Sequence, residues 1–231
     1  MQISTWEEAQ RNELAVWQHT VSDAAEVLSE ITETAELVHF GRSHGLGDCA
    51  NVLELGVGPL GIGWSALTPT TRAVGVDPLA RLRIRTGDAN LDRFAADLQA
   101  RTDFLQADAT APLPLGEASF DLVVCDNVVD HTQDPRAILA EGRRLTRPSG
   151  QLLFTVNVFS AVGLMKWRHV TRRLRPQDTN VLCHPHSFVE GSLRGLLFRA
   201  GWHITVMDAP KGTRHRLMGH SYRVRAIARP I

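Results

Sequence analysis

The sequence predicts an α/β fold: a doubly wound, mostly parallel sheet of seven strands with an antiparallel edge strand, preceded by an N-terminal helical lid. Three observations predict it. Five short apolar runs alternate with other segments, most of them helical, between Asn51 and Val158, the pattern of parallel strands joined by right-handed crossovers. A glycine-rich turn follows the first of these runs directly. The last two runs, Trp202–Met207 and Tyr222–Ala228, have no full helix between them. They read as a hairpin, which puts an antiparallel strand at one edge.

The elements follow in order. Leu14, Trp17, Val21, Ala25, Leu28, Ile31, Ala35 and Val38 recur at steps of three or four, an amphipathic helix. Its opposite face carries Glu26, Glu30, Glu33 and Glu36. It is either a helix packed on the domain edge or a lid over a substrate pocket. Asn51–Leu55 is a buried strand, followed by a short helix near Ile62–Leu67. Arg72–Val76 is the second strand, Leu91–Ala100 a helix and Asp103–Gln106 the third strand. Phe120–Cys125 is the fourth and the most densely apolar. Asp134 caps a helix that has Pro135 in its first turn and runs to about Leu145. Pro148-Ser149-Gly150 turns the chain into the fifth strand, Leu152–Val158. The region after it, Phe159 to Val181, is irregular and holds Arg168, Arg172, Arg173 and Arg175. A helix from Ser187 to Ala200 stops at Gly201 before the final strand pair. The domain division expected is a helical lid over 1–45 and a cofactor-binding domain over 46–231, with 159–186 inserted as a substrate lid.

Composition limits the function. A chain of 231 residues with 43% hydrophobic and 22% charged residues is an ordinary globular domain and not a disordered one. The formal net charge is zero, which disfavours a basic nucleic-acid binder. That zero is a cancellation. Residues 1–36 hold eight acids and one base, whereas residues 143–231 hold sixteen Lys or Arg and three acids. No apolar run reaches membrane-spanning length, and the polar start with Glu7 and Glu8 is no signal peptide. Cys49, Cys125 and Cys183 are odd in number and far apart, so they read as free thiols in a reducing cytoplasm.

The strongest local signal is Glu54-Leu55-Gly56-Val57-Gly58-Pro59-Leu60-Gly61. Glycines let the backbone turn tightly and approach a ligand, and the following helix N-terminus favours anionic groups. Asp77 ends the second strand, where an acid can accept hydrogen bonds from ribose hydroxyls. Gly56, Gly58 and Gly61 also satisfy the dinucleotide pattern G-x-G-x-x-G, so a nicotinamide-dependent oxidoreductase stays open at this point.

From Asn51 to Ile231 the sequence resembles the class I S-adenosylmethionine-dependent methyltransferases, especially the type 11 family. Val52-Leu53-Glu54-Leu55-Gly56-Val57-Gly58 is similar to that family's first motif, with Glu54 where dinucleotide fingerprints carry an apolar residue. Gly75-Val76-Asp77 resembles the second and Gln106-Ala107-Asp108-Ala109 the third. Phe120 to Asn127 resembles the fourth strand, and His131 with Asp134-Pro135 the run after it. The resemblance implies a Rossmann-like fold and S-adenosyl-L-methionine as cofactor. Asp77 would hold the ribose, Asp108 the adenine amino group and Ala109 the ring edge. Glu54, Gly56, Gly58, Gly61, Asp126 and Asn127 complete the cofactor set. Pro59-Leu60 and the polar stretch Asp126 to Asp130 depart from the family pattern and bear on how the methionine end and the acceptor are held.

The implied reaction is in-line methyl transfer to a small-molecule oxygen or nitrogen nucleophile, which mainly needs proximity and orientation. His131 is the candidate catalytic residue, as general base or as acceptor-positioning group; a purely structural histidine is the competing reading. His184, His186 and Arg168 are candidate acceptor contacts, for an acceptor that carries a carboxylate or phosphate. Arg168, Arg172 and Arg175 share a face if helical and could instead pair with the Glu-rich first helix. Trp64 and Tyr222 read as packing residues, with Trp64 also placed to line the cofactor site. His131, His184 and His186 could supply three nitrogens, but no spacing is diagnostic and no metal is expected. Neither nucleic acid nor membrane is an expected partner; a homodimer stays open. Two further readings remain: aminocarboxypropyl transfer or cyclisation releasing methylthioadenosine, and a non-catalytic binding protein that keeps the pocket.

Overall fold

The computed structural model describes residues 6–174, 181, 183–209 and 221–231. Seven strands form one sheet: β1 (Asn51–Leu55), β2 (Arg72–Asp77), β3 (Asp103–Gln106), β4 (Phe120–Asp126), β5 (Thr146–Phe159), β6 (Trp202–Asp208) and β7 (Ser221–Pro230). Their order is β3-β2-β1-β4-β5-β7-β6. The first five are parallel, and β7 is antiparallel to both β5 and β6. The hairpin expected from the sequence is present. Its antiparallel strand lies one place in from the edge, and β6 is outermost.

Strand alternation separates two apolar layers. Leu53, Val123, Cys125, Phe154 and Val156 pack with Ile138 and Leu139 of α5 (Pro135–Leu145) and Leu193 and Leu197 of the C-terminal helix, Glu190–Arg199. On the other face Val52, Leu122, Val124 and Leu153 meet Leu37 and Phe40 of α2 (Ala24–Ser43) and Trp64 of α3 (Trp64–Leu67). Residues i and i+1 of a strand point to opposite faces, so nearly continuous apolar runs such as β4 are what a sheet covered on both sides needs. Helix α4 (Ala89–Gln99) closes the second face beside β2 through Leu91, Ala95 and Leu98.

The N-terminal segment forms two helices where one was expected. Helix α1 (Trp6–Thr20) ends before Val21, and α2 restarts at Ala24. Asp23 makes the break: its carboxylate accepts from the amides of Ala25 at 2.8 Å and Glu26 at 3.2 Å, an N-cap that begins a new helix. The buried face of α2 is Val27, Thr34, Leu37 and Gly41, not the predicted stripe through Ala25, Leu28 and Ala35. Leu28 is half exposed. Pro148-Ser149-Gly150 lies inside β5, where the ladder with β4 shifts register between Phe120 and Leu122. The turn is accommodated as an irregularity of the strand. Helix α6 (Ala161–Lys166) continues through a π-helical turn, Trp167–Thr171, into the short α7 (Arg172–Leu174); α8 is Glu190–Arg199.

The Glu-rich helix pairs with basic residues, but not those expected. Glu33 accepts from Arg223 at 2.7 Å and Glu36 from Arg225 at 3.1 Å, both on β7. Arg172 instead donates to the carbonyls of His184 and Pro185. Arg175 lies outside the described residues. No helix among the described residues is long and apolar enough to cross a membrane.

Asp134 caps α5 as expected, accepting from Arg136 at 2.9 Å and Ala137 at 3.0 Å. Asp134→Ala should therefore cost ~1 kcal/mol, read as a lower urea midpoint at unchanged slope. An unaltered midpoint would show that the cap contributes nothing.

Candidate active site

Order reverses between β1 and β4: β2 follows on one side of β1 and β4 lies on the other. A crevice opens at the carboxyl ends of strands at such a switch point. It holds a cavity of about 370 Å³, within the range of small-ligand sites.

The glycine loop forms its floor. Gly56, Gly58 and Gly61 have φ of +69°, +71° and +63°, a left-handed backbone that side chains with Cβ resist. The amides of Gly56 and Val57 donate to the Val76 carbonyl at 2.7 and 3.2 Å, tying the loop to the end of β2. A Cβ on Gly58 would lie 3.0 Å from the Trp17 ring, so α1 rests directly on the loop. Gly56 and Gly58 line the cavity; Gly61 serves the turn and does not.

Asp77 locks the loop and faces the cavity. One carboxylate oxygen accepts from Gly58 N at 2.9 Å and the other from Leu79 N at 2.9 Å. Each oxygen has a second lone pair for a ligand hydroxyl. Burial pushes the Asp77 carboxyl up to about 6, against these two amides, which lower it.

Glu54 has a different task from the others. It is 3% exposed. Its oxygens accept from Trp64 N at 2.7 Å, Ser65 N at 3.1 Å and the Ser65 hydroxyl. It lines the cavity and braces the start of α3 there, with most of its accepting capacity engaged by the protein.

Asp108, Ala109, Asp126 and Asn127 all line the cavity, as does Trp64. Asn127 adopts φ +54°. Its amide donates to the Thr155 carbonyl at 3.0 Å, and its side-chain oxygen accepts from Asn157 at 3.0 Å. The Thr155 hydroxyl donates to Asp126. The polar departure after β4 is thus fixed from β5.

His131 sits at the far end, where the first cavity approaches a second of about 270 Å³ lined by Asp130, Asn157, Phe159, Trp167, His184 and His186, among others. Burial, and then the neighbouring His184, push the His131 imidazole down to about 3. It is neutral at physiological pH, a lone-pair donor of low basicity. Arg168 is exposed and lines neither cavity.

Three contributors were not singled out from sequence. Glu13 of α1 lines the first cavity, 3.9 Å from His131 Nδ1. Burial, with Asp77 nearby, pushes it up to about 7. Arg223 of β7 also lines this cavity. Asp130 was noticed only as part of a polar stretch. Glu13 and Arg223 are charged positions on elements remote in sequence from the glycine loop, and no local pattern marks them.

Comparisons with known proteins point to methyltransferases. Residues 53–154 match the type 11 family model, described as a methyltransferase domain. The human thiol S-methyltransferase TMT1B is 30% identical over 127 residues, covering 52% of this chain and 48% of its own. A Thermotoga maritima protein described as an S-adenosylmethionine-dependent methyltransferase, possible histamine N-methyltransferase, superposes with a TM-score of 0.59 at 19% identity, covering 98% of this chain and all of its own. The Haemonchus contortus phosphoethanolamine N-methyltransferase 2 complex with S-adenosyl-L-methionine gives a TM-score of 0.61 at 13% identity, over 85% of this chain and 52% of its own. The chain spans less than half the length of the curated relatives it matches. Residues 53–154 thus match the methyltransferase type 11 family model, on a fold that the chain shares with solved methyltransferase structures.

Proposed function

We propose that this chain is an S-adenosylmethionine-dependent methyltransferase acting on a small-molecule nucleophile. The observation that carries the reading is the acid-lined cavity at the switch point, which ends at a half-buried His131 beside a second cavity. Glu13, Glu30, Asp77, Asp108 and Asp126 line the first cavity against Arg223, a field suited to a nucleoside bearing a sulfonium and an ammonium group. When bound, that cofactor supplies an already activated methyl group. The chain's own residues orient it: Asp77 takes the ribose hydroxyls, Asp108 and Ala109 the adenine, and Gly56, Gly58, Asp126 and Asn127 the methionine end. Glu54 acts through α3 as a positioning residue.

The acceptor enters from the second cavity, and His184 and His186 contact it there. Residues 1–45 act as a lid on the cofactor, because Trp6, Glu13, Trp17 and Glu30 line its cavity. The described residues of the 159–186 segment act as the acceptor's lid, supported by Trp167 and His184 in the second cavity. His131 positions the acceptor. Its low basicity makes it a poor general base for a hydroxyl, since proton transfer works best near a matched pKa. A thiol, which ionises near neutrality, asks least of it. The human relative is named a thiol S-methyltransferase, which supports adding sulfur to the oxygen and nitrogen acceptors expected from sequence.

Isothermal titration should find one S-adenosylmethionine per chain. Asp77→Ala should weaken it by about 10- to 100-fold, from the loss of charge-assisted hydrogen bonds. Asp77→Asn should fall between the two. Wild-type affinity in Asp77→Ala would mean the site is elsewhere. Chromatography of turnover should show S-adenosylhomocysteine; methylthioadenosine would replace methyl transfer with the other chemistry of this fold.

A further inference from the structure

Between the two cavities, Asp130, His131 and His184 converge, and the geometry points to a divalent first-row transition-metal site there, with zinc as its probe and an open face for the acceptor's heteroatom. This deepens the acceptor side of the proposed function and rests on that placement of the acceptor.

The donors come from two separate segments. Asp130 and His131 follow β4, and His184 follows the basic segment after β5. One ligand atom from each lies within 4.8 Å of the others. His184 Nε2 is 3.7 Å from Asp130 Oδ2, and His131 Nε2 is 4.0 Å from Asp130 Oδ1. The two imidazole centroids are 4.1 Å apart with planes inclined at 51°. Around a zinc ion with bonds of ~2.1 Å, donor atoms stand about 3.4 Å apart. The two carboxylate–imidazole pairs need to close by about 0.3 and about 0.6 Å.

A second observation asks for a cation. Asp130 is 2% exposed, yet its Oδ1 accepts no hydrogen bond. His131 Nδ1 is likewise buried without a partner. Buried polar atoms are paired in the great majority of cases, and a buried carboxylate oxygen without a donor is costly. A metal ion would satisfy the carboxylate and take an imidazole lone pair at once.

The surrounding contacts hold the donors in place. The His186 amide donates to the Asp130 carbonyl at 3.3 Å, and Arg172 donates to the carbonyls of His184 and Pro185. The two segments are thereby joined on either side of the cluster. Two imidazoles and one carboxylate suit zinc, iron, cobalt or nickel better than calcium or magnesium, which prefer all-oxygen sets. His131 faces the first cavity and Asp130 and His184 the second. Remaining coordination positions therefore point toward the space assigned to the acceptor. The sequence offered His131, His184 and His186 as a three-nitrogen set, with carboxylates nearby and no metal expected. The fold substitutes Asp130 for His186.

The test uses the full chain, stripped with chelator and titrated with zinc chloride alone. One zinc per chain is expected. Asp130→Asn and His184→Ala should each weaken it by more than about 100-fold, beyond the 10- to 100-fold typical of outer contacts. Replacing the exposed His203 of β6 should leave it unchanged. Cobalt in place of zinc should give visible d–d bands that both ligand variants lose. Zinc binding that is absent, or that survives intact in His184→Ala, overturns the site and leaves a hydrogen-bonded cluster. S-adenosylhomocysteine titration of each variant reports on folding and on the cofactor site. In the variants, zinc lost with that affinity retained is the expected result; in the unaltered chain, no zinc binding with that affinity present overturns only the metal. Zinc bound with no affinity for either cofactor form overturns the methyltransferase reading and leaves the metal site standing.

Discussion

Gly63→Ala should destabilise the protein by about 3–5 kcal/mol, the range of severe packing and buried-polar disruptions. The backbone is not the cause: φ −134° and ψ −154° are open to alanine. The cause is Glu54. A Cβ on Gly63 would stand 1.8 Å from Glu54 Oε2 and 2.7 Å from its carboxyl carbon. That carboxylate cannot step aside cheaply, because it accepts from Trp64 N, Ser65 N and the Ser65 hydroxyl. The Ser65 hydroxyl is itself within 2.9 Å of that of Thr102. Moving the carboxylate strands two buried amides, each worth about 1–3 kcal/mol. Glu54→Ala alone should strand the same amides. The double variant should therefore be little worse than the poorer single, a strongly non-additive cycle. Urea unfolding reads all three. A Gly63→Ala protein within about 0.5 kcal/mol of wild type, the range of ordinary surface changes, would show that Glu54 is not held as described.

That pair also shows what the sequence could and could not disclose. Glu54, Gly56, Gly58 and Asp77 stand in a local order that a strand, a turn and a helix impose. Their gathering at one sheet end was legible, as was the alternation that buries β4 on both faces. The division of labour was not. Glu54 reads as a cofactor ligand because it precedes the glycines, yet its partners are amides ten and eleven residues on. Glu13 meets His131, and Glu33 meets Arg223 across 190 residues; such pairs depend on tertiary closure, which no periodicity encodes. The place of β7 carried a signal that went unused. Val224, Ala226, Ile227 and Ala228 are all buried, while β6 alternates through exposed His203 and Thr205. The more continuously apolar strand takes the inner position.

Lowering the pH from about 8 to about 5.5 should stabilise the ligand-free protein and weaken S-adenosylmethionine more than S-adenosylhomocysteine. Two acids of the cofactor cavity carry the effect. Burial pushes Asp77 from its ordinary 3.8 up to about 6, opposed by the amides of Leu79 and Gly58. Burial, with Glu33, Asp126 and Glu26 adding to it and Arg223 opposing it, pushes Glu30 from 4.5 up to about 7. A carboxyl whose folded pKa is raised binds a proton that the unfolded chain does not. Its contribution is complete below the unfolded value and is lost as the pH rises through the folded one. Stability should therefore climb as the pH falls through about 7 toward about 4.5, where these two groups alone are concerned. Binding has the opposite slope. A sulfonium favours the ionised acids, so its arrival releases protons near neutrality, and protonated acids hold it less well. S-adenosylhomocysteine lacks that charge and should show the shallower dependence. Calorimetry in two buffers of different ionisation enthalpy counts the protons released, and Glu30→Gln and Asp77→Asn should each reduce the count. Equal slopes for the two ligands, or affinity independent of pH between about 6 and 8, would mean that the sulfonium shifts the protonation of neither acid.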